Sequence, residues 1–93
     1  MSNKLLNEMR GILNKYDPIG IYSGNNFDEY DPEIREIYKI SKNCKNLEKF
    51  IVRVHKIFIH FFDKRIAGSK QKYVKVSKDL FKLLNRKKRF WNT

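Results

Sequence analysis

Two histidines are the side chains of this sequence best suited to acid–base or metal chemistry. His55 and His60 lie five positions apart, which separates them by about 140° on a helix of 3.6 residues per turn. They therefore cannot share a metal ion. His55 falls among apolar positions, which favours a buried or half-buried ring with one hydrogen-bonded nitrogen over an acid–base or ligand role. We expect His60 to be exposed.

Cys44 and a group of carboxylates are the remaining candidates for catalysis. Cys44 is the only cysteine, and no activating base or second thiol lies near it in the sequence. The four carboxylates between residues 28 and 33 do not have the spacing of a calcium loop. Two of them are typical of a helix start, with Asp31 as the N-cap and Glu33 in the first turn. We predict no enzymatic activity and no metal or cofactor.

Charge is distributed unevenly along the 93 residues. The chain has 21 Lys and Arg against 10 Asp and Glu, a net charge of +11. Residues 17–36 contain six acidic and one basic side chain, whereas residues 37–93 contain 17 basic and three acidic ones. Two explanations stay open: lysines placed on solvated faces by composition alone, or an anionic partner.

A row of basic residues in the last predicted helix, here called the basic stripe, is one candidate site for such a partner. Its members recur at intervals of three or four, as residues on one helical face do. Their density is that expected for contacts with nucleic acid phosphates. They are Lys75, Lys78, Lys82, Arg86 and Arg89.

The elements that must carry these residues are all predicted to be helical. Apolar residues recur with a period near 3.6, which predicts an all-α, compact four-helix domain with helices near residues 3–16, 32–43, 46–67 and 70–89. Ser2 or Asn3 would cap the first helix, and Pro18 would end it near Tyr16. We expect one domain over residues 1–93, with residues 85–93 as a basic tail that frays unless its aromatic residues dock.

The predicted third helix is the core element. From Leu47 to Ile66 the apolar residues cover more than half of the helix circumference, so this helix must lie between two or three others. Asn46 is the predicted N-cap, and Gly68 is predicted to end the helix in the left-handed C-terminal position. Charged residues recur every three or four positions, which argues against a membrane span.

The segment from Asp17 to Tyr30 is predicted to be a long ordered loop. It contains the Gly, Pro and Asn of turns, but also five large apolar or aromatic side chains that a solvated linker would not carry. Loops of this length in compact domains are usually functional or packed on the core. We expect Tyr30 and Phe27 in particular to pin the loop to the helices.

The same loop carries a resemblance to a known family. Tyr16-Asp17-Pro18-Ile19-Gly20, followed by Asp28-Glu29-Tyr30-Asp31, resembles the signature of a family of small bacterial α-helical proteins without an assigned activity. The first position is commonly Trp in that family, and similar proteins lie in toxin–immunity neighbourhoods of the contact-dependent growth inhibition type. The third and fourth predicted helices also look like those of the family, so the resemblance spans roughly residues 5–84. It implies a compact helical domain and an immunity protein that neutralises a cognate toxin.

The acidic loop is the surface that such a partner would be expected to contact. A toxin with nuclease activity has a basic cleft, and residues 17–36 are the only strongly acidic part of this chain. Aromatic residues in the same loop suit a protein interface. The predicted partner-binding residues are Asp17, Tyr22, Phe27, Asp28, Glu29 and Tyr30.

Three functions therefore stay open. We favour a protein-binding module of the immunity type, with nucleic-acid binding by the basic stripe as the alternative. The third is a structural or regulatory protein without a charged ligand. The single cysteine and the lack of an apolar N-terminal stretch predict a cytoplasmic location and no membrane partner.

Overall fold

The computed structural model describes residues 1–22, 24 and 26–91, apart from the side chains of residues 87–91. Its elements are α1 (Asn3–Tyr16), α2 (Asp31–Ser41), α3 (Leu47–Ala67), a 3₁₀ turn (Lys70–Tyr73) and α4 (Val74–Trp91). No strand occurs among the described residues. The prediction of an all-α four-helix fold is therefore confirmed. The 3₁₀ turn was not predicted, and α2 ends two residues earlier than expected.

The third helix contributes a large part of the core and lies between two other helices, as predicted, but α4 is the helix that contacts all of the others. The third helix packs against α2 and α4, while α1 packs against both of those helices. Phe50, Val54 and Phe58 have no exposed surface. The Phe58 ring contacts Tyr30 in the loop and Tyr73 before α4, with centroid separations of 6.0 and 4.9 Å. One helix thus joins the loop and the C-terminal half in a single core.

Side-chain caps define where two of the helices begin. The Ser2 hydroxyl accepts a hydrogen bond from the Leu5 N–H at 3.1 Å, and the Asn46 side chain accepts one from the Lys49 N–H at 3.1 Å. These bonds satisfy amide groups that have no partner within the first helical turn. The predicted caps of α1 and α3 are confirmed.

A kink near the end of α3 was not predicted from the sequence. Asp63 has φ 71° and ψ 168°, which interrupts the helix. Its carboxylate accepts a hydrogen bond from the Ile66 N–H at 2.9 Å and so caps the final turn. The kink shifts the helical phase, and Ile66, which the regular pattern placed on the apolar face, is 53% exposed.

The connection from α3 to α4 is held by hydrogen bonds to backbone carbonyls. Gly68 ends α3, as predicted, and its φ is positive at 79°, but its ψ of −162° differs from the predicted left-handed conformation. His55 Nε2 lies 2.8 Å from the Gly68 carbonyl oxygen, and the Tyr73 hydroxyl donates to the Ala67 carbonyl at 2.5 Å. His55 is half-buried, as expected. Burial raises the pKa of Tyr73 to about 12.

Candidate functional site: the acidic loop and the basic stripe

The loop between α1 and α2 is organised by the Asp17 carboxylate. Asp17 follows α1 in the left-handed conformation, with φ 44°. Its Oδ1 atom accepts hydrogen bonds from the N–H groups of Ile21 at 3.0 Å and Tyr22 at 3.1 Å, and from the Tyr30 hydroxyl at 2.6 Å. That hydroxyl also accepts one from the Ile19 N–H at 3.2 Å. One carboxylate oxygen therefore folds the loop back onto the end of α1.

Tyr30 is the internal anchor of the loop. Its side chain is fully buried, which is the main cause raising the pKa of Tyr30 far above its usual value, and the hydrogen bond to Asp17 adds to this shift. The prediction that Tyr30 pins the loop is confirmed. Because the Tyr30 ring is fully buried, it is not available to a partner. Asp17 is half-buried, and its Oδ1 atom is used within the loop.

Asp31 does not cap α2, contrary to the sequence-based prediction. Tyr30 occupies the N-cap position, and its side chain makes no cap hydrogen bond. The Asp31 carboxylate instead pairs with Arg10 of α1, with Nε–Oδ1 at 2.9 Å and Nη2–Oδ2 at 2.6 Å. This geometry uses both carboxylate oxygens, which a backbone cap would not. The hydrogen bond from Arg10 lowers the pKa of Asp31.

Glu33, like Asp17 and Asp31, does not contribute an exposed carboxylate to the predicted acidic surface. It lies in the first turn of α2, as predicted, but only 2% of it is exposed. Burial raises the pKa of Glu33. Its burial could have been predicted from its spacing. Glu33 stands four positions before Ile37 and eight before Ser41, and both of these are buried on the inner face of α2.

Phe27, Asp28 and Glu29 form the outer part of the loop, here called the loop tip. Phe27 is 46% exposed, so the prediction that its ring pins the loop to the helices is wrong. The Phe27 backbone provides that anchor, because Asn14 Nδ2 donates to its carbonyl at 2.9 Å. The Phe27 ring lies 5.9 Å from the guanidinium carbon of Arg10. Asp28 is exposed and Glu29 is half-buried.

Three of the six predicted partner-binding residues thus come together at the loop tip. Tyr22 is half-buried, and its backbone N–H is directed to Asp17. Arg10 and Asn14 hold the tip but were not predicted as functional residues. Their contacts span 21 and 13 positions of the chain. Local sequence patterns cover only a few positions and therefore cannot predict contacts between residues so far apart.

The basic stripe is exposed along α4. The opposite face of the helix is buried through Val76, Leu80, Leu83 and Leu84. Within the described part of the chain, no carboxylate lies at ion-pair distance from the stripe. Its exposed members are Lys75, Lys78, Lys82 and Arg86. The side chain of Arg89, the fifth predicted member, lies outside the described residues.

Acidic groups border the stripe on the side facing α1. Asp79 accepts a hydrogen bond from the Tyr16 hydroxyl at 2.6 Å, which raises the pKa of Tyr16. Asp79 and Glu8 line a groove of about 410 Å³ together with Lys82 and Arg86. Lys15 lines this groove as well, so three cations and two carboxylates surround it and the charge on this side of the stripe is mixed.

The other chemically reactive side chains do not form a site. Cys44 is buried, and its thiol donates a weak hydrogen bond to the Asn46 carbonyl at 3.6 Å. Across the described residues, no three His, Cys, Asp or Glu side chains are grouped as metal ligands. None of the helices described there has both the length and the apolar content needed to cross a bilayer.

Comparison with known proteins identifies no relative. The chain matches no protein-family model, and no curated protein and no solved structure is similar to it at a significant level. Function must therefore be inferred from the surfaces of this molecule.

Proposed function

We propose that this chain is a protein-binding module, specifically an immunity protein that binds and neutralises a toxin domain through its loop tip. The observation that carries the proposal is the exposed ring of Phe27, which is followed directly in the chain by the exposed Asp28 and the half-buried Glu29. Hydrogen bonds of other side chains hold the loop, and the contact of the Phe27 ring with Arg10 leaves 46% of the residue exposed. Protein interfaces are enriched in aromatic side chains of this kind.

The support beneath the loop tip favours binding. Asn14 fixes the Phe27 carbonyl, and the Arg10–Asp31 pair joins α1 to the start of α2 directly after the tip. A segment that is already ordered loses less conformational entropy when a partner binds. The acidic charge would also steer a basic partner and fix its orientation. The resemblance of residues 16–20 and 28–31 to proteins of toxin–immunity neighbourhoods supports a toxin as that partner.

Reversing the two acidic charges of the tip tests the proposal. Polypeptides encoded next to this gene, above all a toxin-like reading frame immediately upstream, would be co-expressed with the tagged chain and any complex measured by calorimetry. The double change Asp28→Lys and Glu29→Lys should leave the melting temperature nearly unchanged. It should weaken a cognate complex by about 2–5 kcal/mol and make the remaining association less sensitive to salt.

Glu48 provides a matched control, because it is an exposed carboxylate on α3 rather than in the loop. Glu48→Lys should leave the affinity within about twofold, that is, within roughly 0.4 kcal/mol. A folded double variant that still bound the toxin with unchanged affinity would exclude the loop tip as the contact surface.

Nucleic-acid binding by the basic stripe is the second candidate. The observation that favours it is four exposed cations on one face of α4 without a carboxylate at ion-pair distance among the described residues. A helix with such a face can lie along phosphates, and no base-reading constellation accompanies it, so little sequence preference is expected.

A salt titration tests this candidate. Binding of a labelled RNA or DNA duplex should weaken with a slope of about four in log K against log salt. Lys78→Ala with Lys82→Ala should reduce that slope by about two, whereas Lys4→Ala with Lys45→Ala, two exposed lysines elsewhere, should change it less. No detectable binding at about 50 mM salt would leave the stripe as a solvated face.

A further inference from the structure

The groove between α2 and α3 is a separate surface feature, distinct from the loop tip and the basic stripe. It consists of a cavity of about 410 Å³ between the two helices and an adjoining one of about 450 Å³, which is lined mainly by α2 and, from α3, by Phe61 alone. The two cavities share Glu36 and Phe61 as lining residues. Ile40 from α2 and Ile57 from α3 line the first cavity and are only partly buried. Met1 lines the second and is 47% exposed. The groove is therefore lined by apolar side chains that the fold does not cover.

Phe61 stands at the junction of the two cavities and is 41% exposed. The regular pattern of α3 placed it on the apolar face that should be buried, yet neither α2 nor another described element covers the ring. The kink at Asp63 lies two residues further on, so Phe61 is in the last regular turn before α3 changes direction. An aromatic ring exposed in the middle of a groove has the position of an interface anchor.

The rim of this groove is strongly basic. Glu36 is the only carboxylate among the lining residues, and it pairs with Lys39 at 3.4 Å. The Lys42 ammonium lies 4.9 Å from the Tyr38 ring centroid. The lining cations are Arg35, Lys39, Lys42, Arg53 and Lys56. Because five cations and one carboxylate line the groove, a ligand that fits it would carry negative charge beside its apolar side chains.

We propose that the α2–α3 groove binds an acidic amphipathic helix of a partner protein. A helix fits because the groove is formed by two helices and the described residues offer no sheet edge to which an extended peptide could add. Its apolar face would contact Phe61, Ile40 and Ile57, and its carboxylates would meet the basic rim. This surface is independent of the proposed toxin-binding role, because none of the loop-tip residues lines the groove.

A pair of designed peptides serves as the probe. The first is a fluorescein-labelled peptide of about 16 residues, between four and five helical turns, with Leu at i, i+4, i+7 and i+11 and Glu and Ala elsewhere. The second has the same Leu positions but Lys in place of every Glu. In fluorescence anisotropy the acidic peptide should bind this chain saturably with a Kd of about 1–100 μM, and the basic peptide should not bind.

Substitutions on the groove then locate the site. Phe61→Ala should weaken binding of the acidic peptide at least about tenfold, the usual effect of truncating an anchor. Arg53→Glu with Lys56→Glu should weaken it by a similar factor, and these exposed residues leave the core intact. The matched control is Lys78→Glu with Lys82→Glu on α4, which should retain the affinity within about twofold.

Several results would overturn the proposal. They are no binding of the acidic peptide up to about 1 mM, unchanged binding by Phe61→Ala, and equal weakening by the α4 control, which would indicate non-specific attraction to a basic protein. Sedimentation velocity without peptide covers one more case. A dimer that Phe61→Ala abolishes would show that a second copy of the chain occupies the groove, instead of a partner helix.

Discussion

The acidic loop and the outer face of α4 are the two most highly charged regions of the chain, and they use their charges differently. Between residues 17 and 36, Asp17, Asp31 and Glu33 are engaged in or buried by the fold. On α4, in contrast, the four described cations of the basic stripe are exposed without a carboxylate at ion-pair distance. Asp17 and Asp31 make contacts that order the loop and the start of α2, and Glu33 is buried, whereas the α4 charges are exposed to the solvent or to a ligand.

This difference shows that formal charge in a sequence does not measure charge on a surface. Six acidic residues in the loop region predicted a broad acidic face, but Asp28 and Glu29 are the ones that remain at the loop tip. The basic stripe keeps its charge because lysine and arginine lie opposite the buried face of an amphipathic helix. Substitution of the inward-facing residues of this region should therefore change stability, whereas substitution in the stripe should leave stability nearly unchanged.

Tyr30 should produce the largest effect. Tyr30→Ala removes a fully buried ring and the donor to Asp17, and we expect the free energy of unfolding to fall by about 3–5 kcal/mol in urea denaturation. The control is Phe27→Ala three residues earlier, where an exposed ring should cost no more than about 0.5 kcal/mol. Similar losses at both positions would contradict the division between anchor and tip.

Asp17 should come next. Asp17→Ala leaves three donors without their acceptor, two of them backbone amides, and should cost about 2–3 kcal/mol. Asp17→Asn should recover most of that loss, because its amide oxygen accepts hydrogen bonds and Asn tolerates positive φ. Equal unfolding midpoints for the two variants would show that the carboxylate does not organise the loop.

Glu33 should make stability depend on pH. Burial raises the folded-state pKa of Glu33 above its ordinary value of 4.5, so the folded chain holds this proton more tightly than the unfolded chain does. The associated stability is fully present below about pH 4.5 and is lost as the pH rises through the raised pKa. Glu33→Gln removes this loss, so its urea midpoint should rise relative to the original chain between pH 4 and pH 7. A constant difference across that range would contradict the expectation.

The basic stripe should give the smallest effect on stability. Lys75→Ala with Lys78→Ala removes two exposed charges that have no ion pair among the described residues, and the free energy of unfolding should change by no more than about 0.5 kcal/mol. At low salt the change should be towards greater stability, since the chain carries a net charge of +11 and repels itself. A larger loss would indicate that these lysines have a structural role.

The sequence by itself determined the helical class and most helix ends. The apolar spacing and the residues at the helix ends depend on neighbours only three or four positions away. The structure has helices close to the predicted ranges, with Ser2, Asn46 and Gly68 at their ends. The inner and outer faces of α4 were predictable for the same reason. Local hydrogen bonds and the 3.6-residue period can be read along the chain because both partners lie within one or two turns.

The tertiary structure alone decided which loop residues face inward. Asp31 pairs with Arg10 across 21 positions and therefore does not cap α2 as predicted. Asn14 binds the Phe27 carbonyl across 13 positions, and the Phe27 ring is exposed instead of buried in the core. Phe61 became exposed because no neighbouring helix covers that part of α3, and the kink at Asp63 turned Ile66 outward. Such outcomes depend on where distant segments meet, and the spacing of residues along one helix contains no information about its neighbours.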